Sequence, residues 1–329
     1  MLKINVIGII LLILGLVIFL TTVVAIGFEF GKIANIKEET VEINNDFEDL
    51  LFDLKSVDVT IKSSDNDKCQ ILTRIKNNDK ILCKVENGTL IIKEERENWI
   101  GVHYGSVTVF LPKSNYKQMK VDGSTTDISI EKINFDDVKI NASTGDVNIN
   151  SNIGNLEIEL STGDVVINEL NGTTLKATTS TGDVTINDSK LSENATFEFT
   201  TGDIKIENVN IGGKLTIKGS TCDWIGINAK ANSVSAETST GDMQLKNVII
   251  TKEMKLKTSS GDINFDECDA ETMNIETLSG DVEGTLKTSK IFYVSSSSGD
   301  VYVPKSTNGG LCEVSTKSGD ITLNISTGE

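Results

Sequence analysis

The chain has 329 residues, enough for a large core, and carries 31 Lys and Arg against 48 Asp and Glu, a net charge of −17. That charge excludes nucleic acid as a partner and gives no electrostatic attraction to anionic lipid. Aromatics make up 5%, there are two prolines and 27 glycines, and the five cysteines contain no CxxC pair and form no disulfide framework.

Taken in order, residues 1–28 read as an N-terminal membrane anchor. Val6 to Phe28 is an uncharged run of 23 residues, long enough to span a bilayer as one transmembrane helix. A cleaved secretory signal is the rival, with Val23-Val24-Ala25 as a small-residue cleavage site. The apolar stretch, however, exceeds the roughly 7–15 residues of a signal, and Lys3 is the whole basic n-region. A single-pass anchor in the cell membrane, its N-terminus inside and residues 29–329 outside, is the expected arrangement. Residues 29–45 are expected to be a polar tether.

Residues 46–115 are expected to form an irregular N-terminal cap and a first coil. Leu50, Phe52, Leu54 and Ser56 precede Asp58, and Val59 and Ile61 follow it. Ile71 to Ile75 and Ile81 to Val85 read as a hairpin turning at Asn77-Asn78-Asp79, with Thr89 to Lys93 a further strand after Asn87-Gly88. Such a hairpin pairs Cys83 with a residue near 72–74 and not with Cys69, which argues against a disulfide between them.

From 116 to 329 one phrase returns. Ser143-Thr144-Gly145-Asp146 is repeated as Ser161-Thr162-Gly163-Asp164, Ser180-Thr181-Gly182-Asp183, Thr200-Thr201-Gly202-Asp203 and Ser239-Thr240-Gly241-Asp242. Weaker copies end at Asp127, Asp223, Asp262, Asp281, Asp300 and Asp320. The eleven aspartates are separated by 19, 18, 19, 20, 20, 19, 20, 19, 19 and 20 residues. A fixed period near 20 means stacked supersecondary units. Relative to each aspartate, apolar residues stand eight and six before (Leu156 and Ile158, Leu215 and Ile217) and one and three after (Val165 and Ile167, Ile204 and Ile206). Spacing by two is strand spacing. A small third face follows at six and eight after, as in Val209 and Ile211. The fold expected is an all-β parallel β-solenoid with about 19–20 residues per coil, in which an aliphatic side chain contributes about 1.5–3 kcal/mol once its neighbours cover it.

At the repeated phrase the parity changes. The Thr or Ser two before the aspartate is expected to point inward with the apolar residue one after, leaving Gly and Asp as an outward corner pair. Glycine supplies positive φ there, and the carboxylate accepts turn amides. Stacked carboxylates about 4.8 Å apart repel by about 0.9 kcal/mol per neighbour in water, which an exposed ladder tolerates. The ladder is read as a repeated structural corner, with weak cation binding as the alternative. Cys268 and Cys312 sit at core offsets. Cys222 replaces a corner glycine, and Trp224 sits at a core offset. His103 is a lone histidine and cannot build a two-His metal site, and Trp99 is an isolated aromatic. Thr179 and Thr181, like Thr238 and Thr240, are expected inward, which removes them from any flat hydroxyl face. No catalytic residue, cofactor site or metal site is assigned.

The N-terminal apolar segment, the stretch Val107-Thr108-Val109-Phe110-Leu111-Pro112, and repeated Ser-Thr-Gly-Asp followed by Val-x-Ile together resemble the putative-adhesin family of bacterial envelope proteins with β-strand repeats. The resemblance covers roughly residues 46–329 and implies a β-helical domain, often tied to the membrane, with no catalytic residues to carry over. The phrase decays at Thr126, Cys222 and Lys317. The expected function is that of a non-enzymatic, membrane-anchored surface β-solenoid acting in adhesion or cell-envelope interaction, with an unknown surface ligand or envelope protein as partner. A regulatory envelope-stress component that binds a membrane sensor is the alternative. The last coil, at Asp320, is expected to leave a raw edge open to end-to-end self-association or to another partner, unless Asn324-Ile325-Ser326-Thr327 folds over the end.

Overall fold

The computed structural model describes residues 36–76, 79–96 and 104–326. Every regular element among them is a β-strand. The expected anchor over residues 6–28, with Trp99 and His103, lies outside the described residues. Among the described residues no helix is long and apolar enough to cross a membrane.

The regular coils stack in parallel and in register. On one ladder Val147 pairs with Val165, Val165 with Val184, Val184 with Ile204 and Ile204 with Trp224. On the other, Leu156 pairs with Leu175, Leu175 with Ala195 and Ala195 with Leu215. All of these side chains are buried, as are Cys268, Cys312 and Trp224. Alternating apolar residues thus build two facing walls of one continuous core, which no single coil could bury alone.

The corner differs from expectation in one respect. Thr144, Thr162, Thr181, Thr201 and Thr240, two before each aspartate, are exposed, and the residue three before is exposed or half-buried as well. Thr181 and Thr240 therefore point outward while Thr179 and Thr238 are buried. The inward position is four before the aspartate, where Ala142, Leu160, Thr179, Phe199, Thr238, Thr258, Thr277 and Thr316 stand. The buried threonines satisfy their hydroxyls on corner carbonyls: Thr238 Oγ1 donates to Thr240 O at 2.9 Å and Thr316 Oγ1 to Gly280 O at 3.2 Å. Strand alternation fails because the chain swings round the corner over two residues before the glycine.

Glycine at the corner answers to the coil below as much as to φ. Gly163 has φ of 145°, and a Cβ there would lie 2.0 Å from Gly145 O. Thr126 and Cys222 stand at this position without positive φ, and both turn inward and are buried, Cys222 to 2% exposure. Room is made four before the aspartate, where these two coils alone carry glycine. A Cβ on Gly219 would lie 2.7 Å from Cys222 Cβ, and one on Gly123 lies 3.1 Å from Thr126 Cβ. The two positions exchange one slot in the core.

The ends depart from sequence order. At the N-terminal end β1 (Ile36–Ile43), β2 (Asp49–Asp53), β3 (Val57–Ser63), β4 (Cys69–Lys76), β5 (Asp79–Glu86), β6 (Thr89–Arg96), β7 (Gly105–Leu111), β8 (Asn115–Thr125) and β9 (Ile128–Glu131) interleave. The coil of β2 and β3 lies between β6 and β7 on one side and β8 and β9 on the other. β4 runs antiparallel to β1 and β7, and β5 antiparallel to β6. The hairpin expected between 71–75 and 81–85 is absent, because β4 and β5 join different ladders. The hairpin is β5–β6, turning at Asn87-Gly88 with φ of 51° and 78°, a primed turn. Cys69 thus pairs with Ile43, and Cys83 with Ile92. Residues 36–43, expected within the tether, form the edge strand β1.

Glu94, fully buried, ties this cap to the first coil. Its Oε2 accepts from Lys55 N at 2.6 Å and Ser56 N at 2.8 Å, and its Oε1 from Arg96 Nε at 2.6 Å. Burial alone would push the carboxyl up, but the Arg96 guanidinium and the two amides outweigh it and hold Glu94 below the ordinary carboxylate range.

At the other end the chain skips a layer and returns. Lys290–Ser298 pairs with Gly310–Ser318 alone. Gly310–Ser318 pairs in turn with the segment carrying Met273 and Ile275. Ile321–Ile325 lies between Val282–Leu286 and Val301–Tyr302. The order in space is Asp281, Asp320, Asp300, so the raw edge belongs to the Asp300 coil, not to the Asp320 coil expected to carry it. Pro304, two residues beyond the end of Val301–Tyr302, is consistent with that place: it has no N–H to donate, so the strand cannot continue through it as a central one. Lys290 marks the skipped layer. It is 2% exposed, and its Nζ donates to Asp269 Oδ1 at 2.5 Å, Ala270 O at 2.6 Å and Thr288 Oγ1 at 2.8 Å.

Three outcomes follow from this architecture. Hydrogen exchange will protect the amides of Val314 and Ile321 more than those of Val294 and Val301, although the former lie closer to the C-terminus; sequential stacking gives the opposite order. Gly219→Thr alone will destabilise by about 1–3 kcal/mol through overpacking, and much less in a Cys222→Gly background; additive costs in denaturant melts would remove the shared slot. Glu94→Gln sets an amide donor against Arg96 and will cost about 1.5–3 kcal/mol at neutral pH. Because the folded carboxyl titrates below its unfolded value, that difference is present above the ordinary carboxylate range and shrinks as pH falls through the lowered value, which melts across an acid series will read.

Candidate interaction surface

The repeated aspartates form one outward file. Asp127, Asp146, Asp164, Asp183, Asp203, Asp223, Asp262, Asp300 and Asp320 are exposed, and Asp242 and Asp281 are half-buried. Each carboxylate except that of Asp300 accepts from the main chain of the next coil in space. Asp146 N donates to Asp127 Oδ1 at 2.8 Å, Asp164 N to Asp146 Oδ1 at 2.9 Å, and Asp183 N to Asp164 Oδ1 at 2.8 Å. The series continues through Asp203, Asp223, Asp242, Asp262 and Asp281. It ends with Asp320 N to Asp281 Oδ1 at 2.7 Å and Asp300 N to Asp320 Oδ1 at 2.8 Å. Asp58 starts it below, accepting from Asp127 N at 3.1 Å. Asp58 is exposed at the surface, and partial desolvation by its surroundings, opposed by that amide and reinforced by the Asp127 charge, raises its carboxyl above the ordinary value. The amide that a sharp corner leaves unpaired thus finds an acceptor one layer away. This is a coil-to-coil version of the turn role expected from sequence, where the partner amide was placed in the same turn.

A second file was missed. Asp188, Asn208, Asn228 and Asn247, each five after its aspartate, have φ of 49°, 56°, 52° and 51°. Their amides bridge coils, Asn208 Nδ2 to Asp188 Oδ1 at 2.9 Å, Asn228 Nδ2 to Asn208 Oδ1 at 3.0 Å and Asn247 Nδ2 to Asn228 Oδ1 at 2.9 Å. Asn and Asp tolerate the left-handed region better than other side chains, so their recurrence was an available signal for this corner.

Neither file assembles a reaction centre. The ladder carboxylates are spread one per layer, and among the described residues no three His, Cys, Asp or Glu side chains converge as a metal would require. Burial pushes the thiols of Cys69, Cys222 and Cys312 up to about 12 and those of Cys83 and Cys268 up to about 11, far from a thiolate nucleophile. A shallow groove of about 700 Å³ on an outer face is crossed by Lys139 and Lys176. Both lysines hold Glu157, at 3.0 and 3.3 Å, so these two lysine charges are already paired.

Exposed apolar side chains concentrate at the Asp300 end. Tyr293 is 65% exposed, Tyr302 63%, Val301 38% and Leu311 36%. Val301 occupies the inward offset that is buried in the other coils and is uncovered because no layer follows it. Asp300 is the last rung: its amide is satisfied by Asp320, and its own carboxylate has no further layer to serve.

Asp183→Ala will lower stability by about 0.5–1.5 kcal/mol, the worth of one amide hydrogen bond, whereas Asp183→Asn, which keeps an acceptor and removes a charge, will be near neutral. For a hydrogen-bonded corner, millimolar calcium will raise the melting temperature no more than matched ionic strength does. A larger rise that Asp183→Asn diminishes would make the ladder a cation site.

Two regions of the chain, residues 47–223 and 210–328, match the family described as Toastrack DUF4097. Among curated proteins no match is found. Similar solved structures include a putative adhesin from Parabacteroides distasonis, 13% identical, covering 88% of this chain and 97% of its own with a TM-score of 0.45. A putative adhesin from Parabacteroides merdae is 15% identical over 86% and 97% of the two chains, with a TM-score of 0.41. A putative lipid binding protein from Parabacteroides distasonis is 14% identical over 88% and 97%, also with a TM-score of 0.41. With the family match spanning nearly all of the solenoid, the chain belongs to the Toastrack DUF4097 family.

Proposed function

We propose that the protein is a non-enzymatic, membrane-anchored rod at the cell surface, acting in adhesion or cell-envelope interaction. The observation that carries this reading is the polarity of the stack. β1, the described strand nearest the uncharged run Val6 to Phe28, lies at the edge of the capped end. The open, tyrosine-bearing Asp300 coil lies at the other end. An anchor in residues 6–28 therefore puts the cap at the membrane and the open end outermost, about 67 Å away for the fifteen strands stacked from β1 to Val301–Tyr302 at about 4.8 Å spacing. The spread of the ladder carboxylates, one per layer and each bonded to a neighbouring amide, supports a scaffold over a catalyst, since paired-carboxylate chemistry needs two groups in one cleft.

The test is made on intact cells that express the full chain. External protease will remove the solenoid, and cells carrying the protein will adhere where cells lacking it do not. Replacing Val6–Phe28 by an unrelated anchor will leave adhesion intact. Protection of the solenoid from external protease, or loss of function on the anchor swap, would overturn the reading, the latter in favour of a membrane sensor partner.

A further inference from the structure

We infer that the Asp300 end of the stack is a self-association surface, taken by a second copy of this chain end to end, with the strand Lys290–Ser298 of each copy pairing antiparallel about a two-fold axis. The inference rests on the preceding reading only for where the two ends point, since the association itself needs no membrane.

The first argument is the edge. Among the described residues Lys290–Ser298 and Val301–Tyr302 are each paired on one side only, leaving a row of main-chain donors and acceptors of the kind that recruits another strand. The side chains over it are apolar or small: Phe292, Val294 and Val301 close the end of the core, and Ser295 to Ser298 add no charge. The opposite end is blunted. Its edge strand β1 carries Lys37, Glu38, Glu39 and Glu42, a net charge of 1 − 3 = −2, and the layers beneath it run antiparallel. A head-to-tail filament would have to join an open end to a charged one. A closed pair of open ends joins like to like.

The second argument is charge. Two copies of a −17 chain repel. Residues 290–309 carry Lys290, Lys305 and Asp300 only. Lys290 is buried against Asp269, so one cation and one anion remain at the surface. The open end is thus a place where two acidic rods meet without excess charge on either side. One coil is a small footprint, which suits weak, reversible association, strengthened where arrays of copies on two apposed membranes meet.

Sedimentation velocity on the full chain in detergent micelles will show a concentration-dependent monomer–dimer equilibrium between roughly 1 and 100 μM, the range of a small interface. Val301→Lys places two like charges across the axis and will weaken the dimer at least about tenfold, the effect of like-charge juxtaposition, with an unchanged melting temperature. Tyr293→Lys, at a side chain 65% exposed, will also weaken it and avoids any folding defect. Ile36→Lys on β1 will leave it intact. A monomer throughout the range, a dimer indifferent to both end-coil substitutions, or one lost on Ile36→Lys would overturn the inference. Failure of cell adhesion with the dimer intact would sink the adhesion reading and leave this one standing.

Discussion

Everything in this molecule depends on one coil lying directly above the next at main-chain hydrogen-bond distance. At the aspartate corner the two backbones come so close that a side chain on Gly163 would lie 2.0 Å from the carbonyl of Gly145. Glycine is therefore imposed by the neighbouring layer. The aspartate beside it takes the one amide that the turn cannot satisfy by itself, with eleven such bonds joining twelve carboxylates from Asp58 to Asp300. Once that corner is fixed, every other offset follows. Aliphatic residues eight and six before and one and three after fall into columns, and each column is buried by the layers above and below it.

A stack held this way has two ends, and each is finished differently. The N-terminal end closes with antiparallel strands and with Glu94, whose carboxylate reaches into the first coil and is held charged by Arg96. An aromatic row of Phe47, Tyr116 and Phe135, with ring centroids 5.6 and 5.9 Å apart, stacks across the first coils. The C-terminal end closes by interpolation: the chain leaves a layer empty, anchors the skip with a buried lysine on Asp269, and fills the gap with Gly310–Ile325. A buried ion pair adds little net stability over apolar packing, but its loss would leave Asp269 unpaired just where the path of the chain is chosen.

The period and the core were legible because they are coded by offset. Trp224, Cys268 and Cys312 are buried where their offsets put them. Parity at the corner was not legible, because alternation breaks over the last two residues of each strand, where Ser143 and Thr144, like Ser180 and Thr181, both face solvent. The exchange of Gly219 for the side chain of Cys222 needed three-dimensional contacts to be seen, although two glycines at one offset, paired with two absences at another, were visible in the text. The layer order at the C-terminal end could not come from periodicity at all. Asp300 and Asp320 carry the same phrase in the same register, so either order satisfies the pattern, and Pro304, which follows the short strand Val301–Tyr302, was the one local hint. In the cap, β4 and β5 have hairpin-like sequences but belong to different ladders, and local pattern does not report which distant strand a segment will meet.

The interpolated layer bears on how the molecule comes into being. Lys290 to Tyr302 is synthesised before Gly310 to Ile325, yet it has no lasting neighbour until the later segment has slid between it and the body of the rod. Growth by simple accretion, one layer upon the last as the chain emerges, therefore serves from Asp127 to Asp281 and then stops. The tip, at the end of the stack opposite the cap, is settled only when the later segment has threaded home, so an interrupted or clipped chain would present a finished shaft beneath an unfinished point.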